Sequence, residues 1–282
     1  MLLHRYFGSY ALETLKNAEL WASRISAFND PFEFMYVNTG KITPAQAEQF
    51  CLGLLNTPSK FLEVKALHPN LTDEAIRQLI QQQLPSMIQK IVENFKTISE
   101  LPLKRRQQII DEELRAICFS DPSRIKPLDE ILLWSHYANK HEGVRIGFEF
   151  PDGIKEPFEI TPITYQQNRV EVDLSFGVEY EQTHAALEKS ATVKSLSWEY
   201  EREYRLFVKV GRCEDRRTPG SAVEQLFLGF KREWVKSVDF GVSCSGATIR
   251  PIVDVLKSDY PGIIPKKAMF HETDYALTYK EF

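Results

Sequence analysis

The sequence predicts an α+β fold with a mixed, mostly antiparallel sheet, either continuous or split, that carries a helical insertion. Apolar and polar residues alternate with the period of a strand along Val144–Phe150 and Glu203–Val210. Residues 42–115 read almost wholly as helix, and strands and helices do not alternate at regular βαβ spacing. We therefore expect one domain over 1–282, with 42–115 as an insertion or cap.

The composition is that of an ordinary globular protein. The chain has 282 residues, 43% of them hydrophobic and 26% charged, and a formal net charge of −4. This charge excludes a global basic field for coating nucleic acid, but it leaves a local basic groove open. The four cysteines show no metal-binding spacing, so we expect free thiols in a reducing compartment. Because no signal peptide and no apolar run of about 20 residues is recognisable, we expect a cytoplasmic protein without a membrane partner.

The first forty residues predict two short strands around a helix. Leu2–Tyr6 and Leu20–Ser23 have strand patterns, and Ser9 is placed to cap a helix that ends near Asn17. A turn is expected at 29–31, because Asn and Asp bond their own backbone and Pro fixes φ.

The helical block has clear starting signals. Pro44 suits the first position of a helix, and Thr72 precedes two acidic residues that favour a helix N-terminus. Pro102 is expected to open a further helix, which carries the basic residues Lys104–Arg106.

The second half of the chain is rich in strands. Strands are predicted at Ala116–Ser120, Val144–Phe150, Phe158–Tyr165, Glu203–Val210, Leu226–Phe230, Ser237–Val242 and Gly262–Phe270. Helices are predicted at Asp129–Asn139, Val178–Thr192 and Ile249–Leu256.

Three clusters of polar and aromatic residues are candidates for a functional site. The first, NDPFE at Asn29–Glu33, is either a cleft wall or a turn whose side chains cap the backbone. The second is Trp134–His141 within LWSHYANKHEGVRIGFEF, which surrounds Gly143. The third is WEYEREYR at Trp198–Arg205. We expect the three clusters to converge on one cleft.

The histidines of the second cluster do not suggest a metal site. His136 and His141 are five residues apart and do not share a helix face, unlike the i,i+4 pair of a zinc helix. Each is either an acid–base catalyst or a hydrogen-bonded structural histidine. Trp134 and Tyr137 fit a core and the wall of a cleft.

The third cluster aligns charges on one face of a predicted strand. Alternation places Glu201, Glu203 and Arg205 opposite the apolar set. This face is either solvated, with a salt bridge, or the lining of a polar cleft.

These landmarks, taken in order, resemble a known family. The elements FNDPFE, CFS, WSHYA and E-x-E-Y-R, after a first strand with His4, Arg5 and Tyr6, are similar to those of the domain of unknown function 2971 family of bacteria and phages. The resemblance covers most of the chain, with the helical block as its least typical part. It implies no established activity.

A second resemblance concerns activity. The order of Arg5 or His4, then Ser120, then Glu201-x-Glu203 is similar to that of the ADP-ribosyltransferase fold, although CFS replaces the Ser-Thr-Ser pattern and no Gly-Thr follows the first motif. The resemblance implies that Arg5 or His4 anchors NAD and that Ser120 orients its nicotinamide. It further implies that a Glu carboxylate stabilises the charge that develops on the ribose.

The expected catalytic residues are Glu203, Glu201 and His136. The residues expected to bind NAD or another small nucleotide are His4, Arg5, Tyr6, Asn29, Asp30, Glu33, Ser120, Trp134, Tyr137 and Arg205. No metal is expected. The acceptor would be a protein or a nucleic acid, in a phage-defence or toxin role.

Two other functions remain open. One is a non-catalytic module of a defence or regulatory system that binds a nucleotide or a partner. The other is a nuclease-like effector, for which the basic residues Lys104–Arg106, Arg212, Arg216 and Arg217 would matter more.

Overall fold

The computed structural model describes residues 1–99, 110–151, 160–173, 189–215 and 225–281. The helix expected after Pro102, most of Val178–Thr192, and the basic residues Lys104–Arg106, Arg216 and Arg217 lie outside these ranges. The chain divides into two compact units. Unit 1 comprises Met1–Glu33, Gln107–Asn168 and Thr192–Phe282, and unit 2 comprises Phe34–Arg106 and Arg169–Ala191.

An eight-stranded sheet forms the framework of unit 1. In spatial order its strands are β15 (Leu277–Glu281), β14 (Lys266–Phe270), β13 (Val235–Phe240), β5 (Val144–Glu149), β1 (Leu2–Phe7), β4 (Leu114–Ser120), β10 (Glu203–Lys209) and β6 (Ile160–Pro162). Only the pair of β13 and β14 is parallel. The predicted class, α+β with a mixed and mostly antiparallel sheet, is confirmed.

Smaller strand pairs complete unit 1. β2 (Glu19–Trp21), β12 (Leu226–Gly229) and β11 (Glu214–Asp215) form one antiparallel sheet. β7 (Thr164–Gln166) and β9 (Val193–Ser195) form a parallel pair. β9 leads directly into a 3-10 helix, Leu196–Glu201, which precedes β10.

Unit 1 contains α-helices that pack beside the sheets. Among them are α1 (Ala11–Asn17), α5 (Pro127–Tyr137) and α6 (Gly246–Asp259). α6 turns Ile249, Ile252 and Leu256 into the apolar core, as its 3.6-residue spacing predicts. The hydroxyl of Ser245 accepts a hydrogen bond from the Thr248 amide at 3.3 Å and caps this helix.

A tight backbone junction connects α5 to β5. Asn139, Lys140 and His141 all have positive φ, and Gly143 follows them. A Cβ at Gly143 would overlap the carbonyl oxygen of Phe7 on the neighbouring strand, so only glycine fits there. The junction explains why the 3.6-residue pattern changes to strand alternation at this glycine.

Unit 2 is mostly helical. It contains α2 (Pro44–Asn56), α3 (Pro58–Leu67), α4 (Asp73–Ser99) and a parallel pair of β3 (Tyr36–Asn38) with β8 (Val170–Val172). The helix starts predicted at Pro44 and after Thr72 agree with α2 and α4. The assignment of 42–115 as an insertion in a single domain stays a prediction.

Several local expectations were wrong. Tyr10, without a side-chain hydrogen bond, occupies the N-cap of α1 in place of Ser9. The second strand ends at Trp21, and Ser23 forms only an isolated bridge with Ala116. The three-residue strands β3, β8 and β9 were missed because alternation cannot be recognised over so few residues.

Two further features concern the thiols and the helices. None of the four cysteines, all of which lie within the described ranges, forms a disulfide, as expected. Among the described residues, no helix is both long enough and apolar enough to cross a lipid bilayer.

Candidate functional site

The three clusters predicted from the sequence meet in unit 1. The Arg205 Nη2 donates to Glu33 Oε1 at 2.8 Å, which joins the first cluster to the third. The Tyr137 hydroxyl donates to Glu201, and the Asn29 Nδ2 donates to that hydroxyl at 3.1 Å. Direct hydrogen bonds therefore connect all three clusters.

Lys194 lies at the centre of this arrangement. Its Nζ is 2.7 Å from Glu201 Oε2, 3.0 Å from Glu203 Oε2 and 3.2 Å from Glu33 Oε1. Its side chain is only 4% exposed. One ammonium group thus contacts three buried carboxylates, and burial makes each of these contacts stronger than it would be in water.

Arg205 supplies the second cation. Its Nε donates to Glu203 Oε1 at 2.6 Å and its Nη2 donates to Glu203 Oε2 at 3.1 Å, so this pair is bidentate. The side chains of Arg205 and Glu33 are fully buried. The predicted face of aligned charges therefore exists for Glu203 and Arg205, but it is buried and not solvated.

The backbone between Glu201 and Glu203 differs from the prediction. Glu201 ends the 3-10 helix Leu196–Glu201, and Arg202 has φ 46° in the left-handed region. β10 begins only at Glu203. The expectation that Glu201 lies on the strand was wrong, because the turn at Arg202 redirects the chain; the two carboxylates nevertheless converge on Lys194.

A structural turn holds Glu33 in place. The Asp30 carboxylate accepts a hydrogen bond from the Phe32 amide at 2.8 Å, as expected of an Asn-Asp-Pro turn. The segment just before this turn is held by Asp111, whose carboxylate accepts hydrogen bonds from the Ile25 amide at 2.6 Å and from the Ser26 hydroxyl. Asp30 thus positions the backbone, while Glu33 enters the ionic cluster.

Glu203 and Glu201 have opposite pKa shifts although both contact Lys194. Burial alone would raise the pKa of Glu203, but Arg205 and then Lys194 lower it to about 2. Burial raises the pKa of Glu201 to about 7, because Lys194 offsets only part of the desolvation and Glu203 opposes ionisation. The pKa of Glu203 therefore lies below its usual range and that of Glu201 lies near neutral pH, a pattern typical of acid–base sites.

Aromatic rings form one wall beside Glu201. The ring centroid of His136 lies 6.5 Å from that of Trp198 and 6.4 Å from that of Tyr200. Lys194 Nζ lies 4.9 Å from the centroid of Trp198, so the buried face of the indole covers a cation. His136 is exposed, whereas Tyr137, Trp198 and Tyr200 are half-buried.

Three polar residues form a line across neighbouring strands of the main sheet. His4 of β1 is paired with Ser120 of β4, and Ser120 is paired with Glu203 of β10. Residues that pair directly across strands place their side chains on the same face of the sheet. Among the described residues, the buried Nδ1 atom of His4 has no hydrogen-bond partner. Burial and Arg145 lower the pKa of His4 to about 3, so its imidazole is neutral.

Arg5 and Tyr6 on β1 and Trp134 on α5, which were also predicted to bind a nucleotide, contact neighbouring parts of unit 1. Arg5 donates to the carbonyl oxygens of Trp21 and Cys118, at 3.2 Å and 3.5 Å. Tyr6 packs edge-on against Trp134, with ring centroids 5.3 Å apart. The Trp134 Nε1 donates to the Tyr279 hydroxyl at 3.1 Å.

A second buried ion cluster supports the sheet nearby. Arg145 on β5 bonds Asp239 on β13 at 2.9 Å and also pairs with Glu130 on α5. The Tyr279 hydroxyl donates to Glu130 at 2.7 Å. These contacts hold α5, which carries His136 and Tyr137, against the sheet.

The described residues show no metal centre, and one cavity lies away from the residues predicted for the site. In the described ranges, no group of three or more His, Cys, Asp or Glu side chains is arranged to hold a metal ion. A cavity of about 640 Å³ lies at the start of α6, where Gly8, Asn139 and Ser245 contribute to its lining. The residues predicted for the site do not line it.

Sequence reasoning missed Lys194, the central cation. It lies 7 and 9 residues before Glu201 and Glu203, and no motif marks it. The available signal was the polar-aromatic cluster that begins four residues later, at Trp198. Because 178–192 was expected to be helical, a strand carrying Lys194 into the cluster was not considered.

The comparisons with known proteins match part of the chain to one family model. No significant match to the chain was found among curated proteins or among solved structures. Residues 133–206, which include the second and third clusters and Lys194, match the family model described as protein of unknown function (DUF2971), which confirms the resemblance over this part of the chain. The part of the resemblance carried by FNDPFE and CFS lies outside the matched residues and stays a prediction.

Proposed function

We propose that this chain is an NAD-consuming enzyme of the ADP-ribosyltransferase type. The observation that carries the proposal is the line of His4, Ser120 and Glu203 across β1, β4 and β10. It matches the order of first-strand His, second Ser and third Glu that the resemblance implies. His4, with its unpartnered Nδ1, suits this role better than Arg5, whose guanidinium bonds two carbonyl groups.

In the proposed reaction, the bond between the nicotinamide nitrogen and the ribose carbon breaks. The electron pair stays with nicotinamide, which leaves as a neutral molecule, and positive charge develops on the ribose. Three carboxylates against two cations leave one excess negative charge in the cluster when all groups are ionised. When Glu201 is ionised, this excess negative charge would stabilise the developing cation.

Glu201 is assigned the acceptor side of the reaction. Its pKa of about 7 allows it to accept the proton that an attacking hydroxyl group loses as the new bond to ribose forms. Tyr137 and Lys194 hold its two oxygens, which fixes the direction of the carboxylate. The acceptor is a protein, a nucleic acid or water, and the biological role is that of an effector.

The test is nicotinamide release from NAD by purified protein. We expect Glu203→Gln to reduce the rate by about 10²–10³, the usual effect of removing a preorganised electrostatic contact. Glu201→Gln should reduce transfer to the acceptor. Glu199→Gln is the matched control, because Glu199 lies on the same 3-10 helix but is 47% exposed and pairs with Arg202.

Melting temperatures must be measured alongside the rates. Glu203 pairs with both Lys194 and Arg205, so Glu203→Gln is expected to cost stability as well as activity. Glu201→Gln disturbs fewer contacts than Glu203→Gln. If Glu203→Gln unfolds, the activity of Glu201→Gln still tests the proposal. Absence of nicotinamide release from folded wild-type protein, with and without candidate acceptors, would refute the proposal.

A second candidate function has support from one observation. Both oxygens of Glu203 are bonded by Lys194 and Arg205, an arrangement that also suits a rigid pocket without turnover. A nucleotide-binding module would raise its melting temperature with NAD or another nucleotide while leaving that ligand intact.

A further inference from the structure

We propose that His136, Trp198 and Tyr200 form a stacking surface for a planar, positively charged ring of the pyridinium class. The inference rests on the proposed function, since the nicotinamide ring of NAD is such a ring. It deepens that proposal by naming the residues that hold the leaving group. It also predicts that the site distinguishes the oxidised ring from neutral rings of the same shape.

The first support is the geometry of the rings. The centroids of Trp198 and Tyr200 are 6.0 Å apart with an interplanar angle of 35°, and His136 lies within 6.5 Å of both. The rings therefore form a continuous aromatic surface, within the range of centroid distances typical of aromatic pairs. Because the rings are tilted or edge-on to one another, an added planar ring would lie against the face of one of them, with the others beside it.

The second support is how firmly two of these rings are held. Trp198 covers Lys194, which three carboxylates fix in place. Tyr200 packs against the apolar cluster of Tyr6, Leu133, Trp134 and Ala138. A surface that is already ordered loses little conformational entropy when it binds a ligand.

The third support is charge. Glu33, Glu201 and Glu203 exceed Lys194 and Arg205 by one negative charge when all are ionised, and the nearby Glu199–Arg202 pair is neutral. Aromatic faces also attract cations through their quadrupole. Both effects favour a cationic ring over a neutral one.

The probes are the 1-methylnicotinamide cation and neutral nicotinamide, which differ in charge but hardly in shape. Binding is measured by calorimetry at pH 8 with wild type, Trp198→Ala, Trp198→Phe and, as a matched tryptophan control, Trp21→Ala. We expect the cation to bind about ten-fold more tightly than the neutral probe, equal to about 1.4 kcal/mol. Trp198→Ala should abolish this preference, Trp198→Phe should keep most of it, and Trp21→Ala should leave it unchanged.

The outcomes separate this inference from the proposed function. Equal binding of both probes by wild type, or an unchanged preference in Trp198→Ala, overturns the stacking surface even if NAD is consumed. A Trp198-dependent preference for the cation in a protein that releases no nicotinamide supports the surface and refutes the enzymatic proposal. If NAD is consumed, Trp198→Ala should raise KM for NAD; an unchanged KM counts against the surface.

Discussion

Glu201 titrates in the range where cells operate, and this affects stability as well as chemistry. Burial raises its pKa from the ordinary value of 4.5 to about 7. A raised carboxyl pKa means that the folded state binds the proton more tightly than the unfolded state. The stabilisation from this group is therefore complete below about pH 4.5 and is lost as the pH rises towards 7.

We predict that Glu201→Gln removes the decrease in stability that ionisation of Glu201 causes as the pH rises. Glutamine cannot ionise, so the unfolding free energy of the variant, relative to wild type, should rise between pH 5 and pH 8. The measurement is urea denaturation of both proteins at four pH values across this interval. Glu199→Gln, changed at a partly exposed carboxylate, should follow wild type. Parallel pH profiles for wild type and Glu201→Gln would show that Glu201 has no raised pKa.

Single residues show where sequence reasoning succeeds and where it stops. The polar types of Glu203, Arg205 and Glu33 marked them as candidates, and their clusters do meet. Their burial was not foreseen, because the alternation rule assigns charged positions to solvent unless partners are known. Lys194, the cation whose ion pairs allow these carboxylates to be buried, lies on a three-residue strand that is too short to show a recognisable sequence pattern.

At the scale of elements, long regular segments were predictable and short ones were not. Clear periodicity marks the strands β5 and β10, of six and seven residues, and the 14-residue helix α6. Each of these elements was predicted to within a few positions. The 3-10 helix Leu196–Glu201 was not predicted, and its last residue, Glu201, was expected to align with the strand that follows. Its left-handed exit at Arg202 carries a non-glycine residue, so no sequence signal marks it.

Helix α2 offers a test of local stabilisation in unit 2. The Gln46 amide donates to the Thr43 hydroxyl at 3.2 Å, and the Thr43 amide donates to Gln46 Oε1 at 2.9 Å. This reciprocal pair is a capping box. Thr43→Ala should lower the stability of unit 2 by about 1 kcal/mol, measured by urea denaturation followed by circular dichroism at 222 nm.

Thr43→Ser is the matched control for the cap, because serine keeps the hydroxyl that accepts the bond. Its denaturation midpoint should remain close to that of wild type. If alanine and serine give equal midpoints, the hydroxyl does not stabilise α2.

At the scale of the whole molecule, the two units can be followed separately. All four tryptophans, Trp21, Trp134, Trp198 and Trp234, belong to unit 1. The long helices α2, α3 and α4 belong to unit 2 and dominate the helical signal of the described chain. Tryptophan fluorescence therefore reports unit 1, while circular dichroism at 222 nm is weighted towards unit 2.

We predict that helical signal is lost at a lower urea concentration than tryptophan fluorescence. Unit 1 has an extensive core that includes Trp134, Phe119 and Phe148, whereas helices α2–α4 leave Leu62 and Leu67 62% and 77% exposed. Less buried apolar surface gives a lower unfolding free energy. Coincident transitions would instead indicate that the units unfold as one cooperative body.

The enclosure of Lys194 has a consequence for chemical labelling. Amine-acylating reagents attack neutral, accessible amines, but three carboxylates raise the pKa of Lys194 against the effect of burial, and Trp198 covers it. While the cluster is intact, Lys194 should not be acylated, whereas the exposed Lys209 should be. Lys194 then acquires label only during transient openings of the cluster. Its labelling rate, measured by mass spectrometry, therefore reports how often the cluster opens. Any compound that binds to the cluster and keeps it closed should lower this rate.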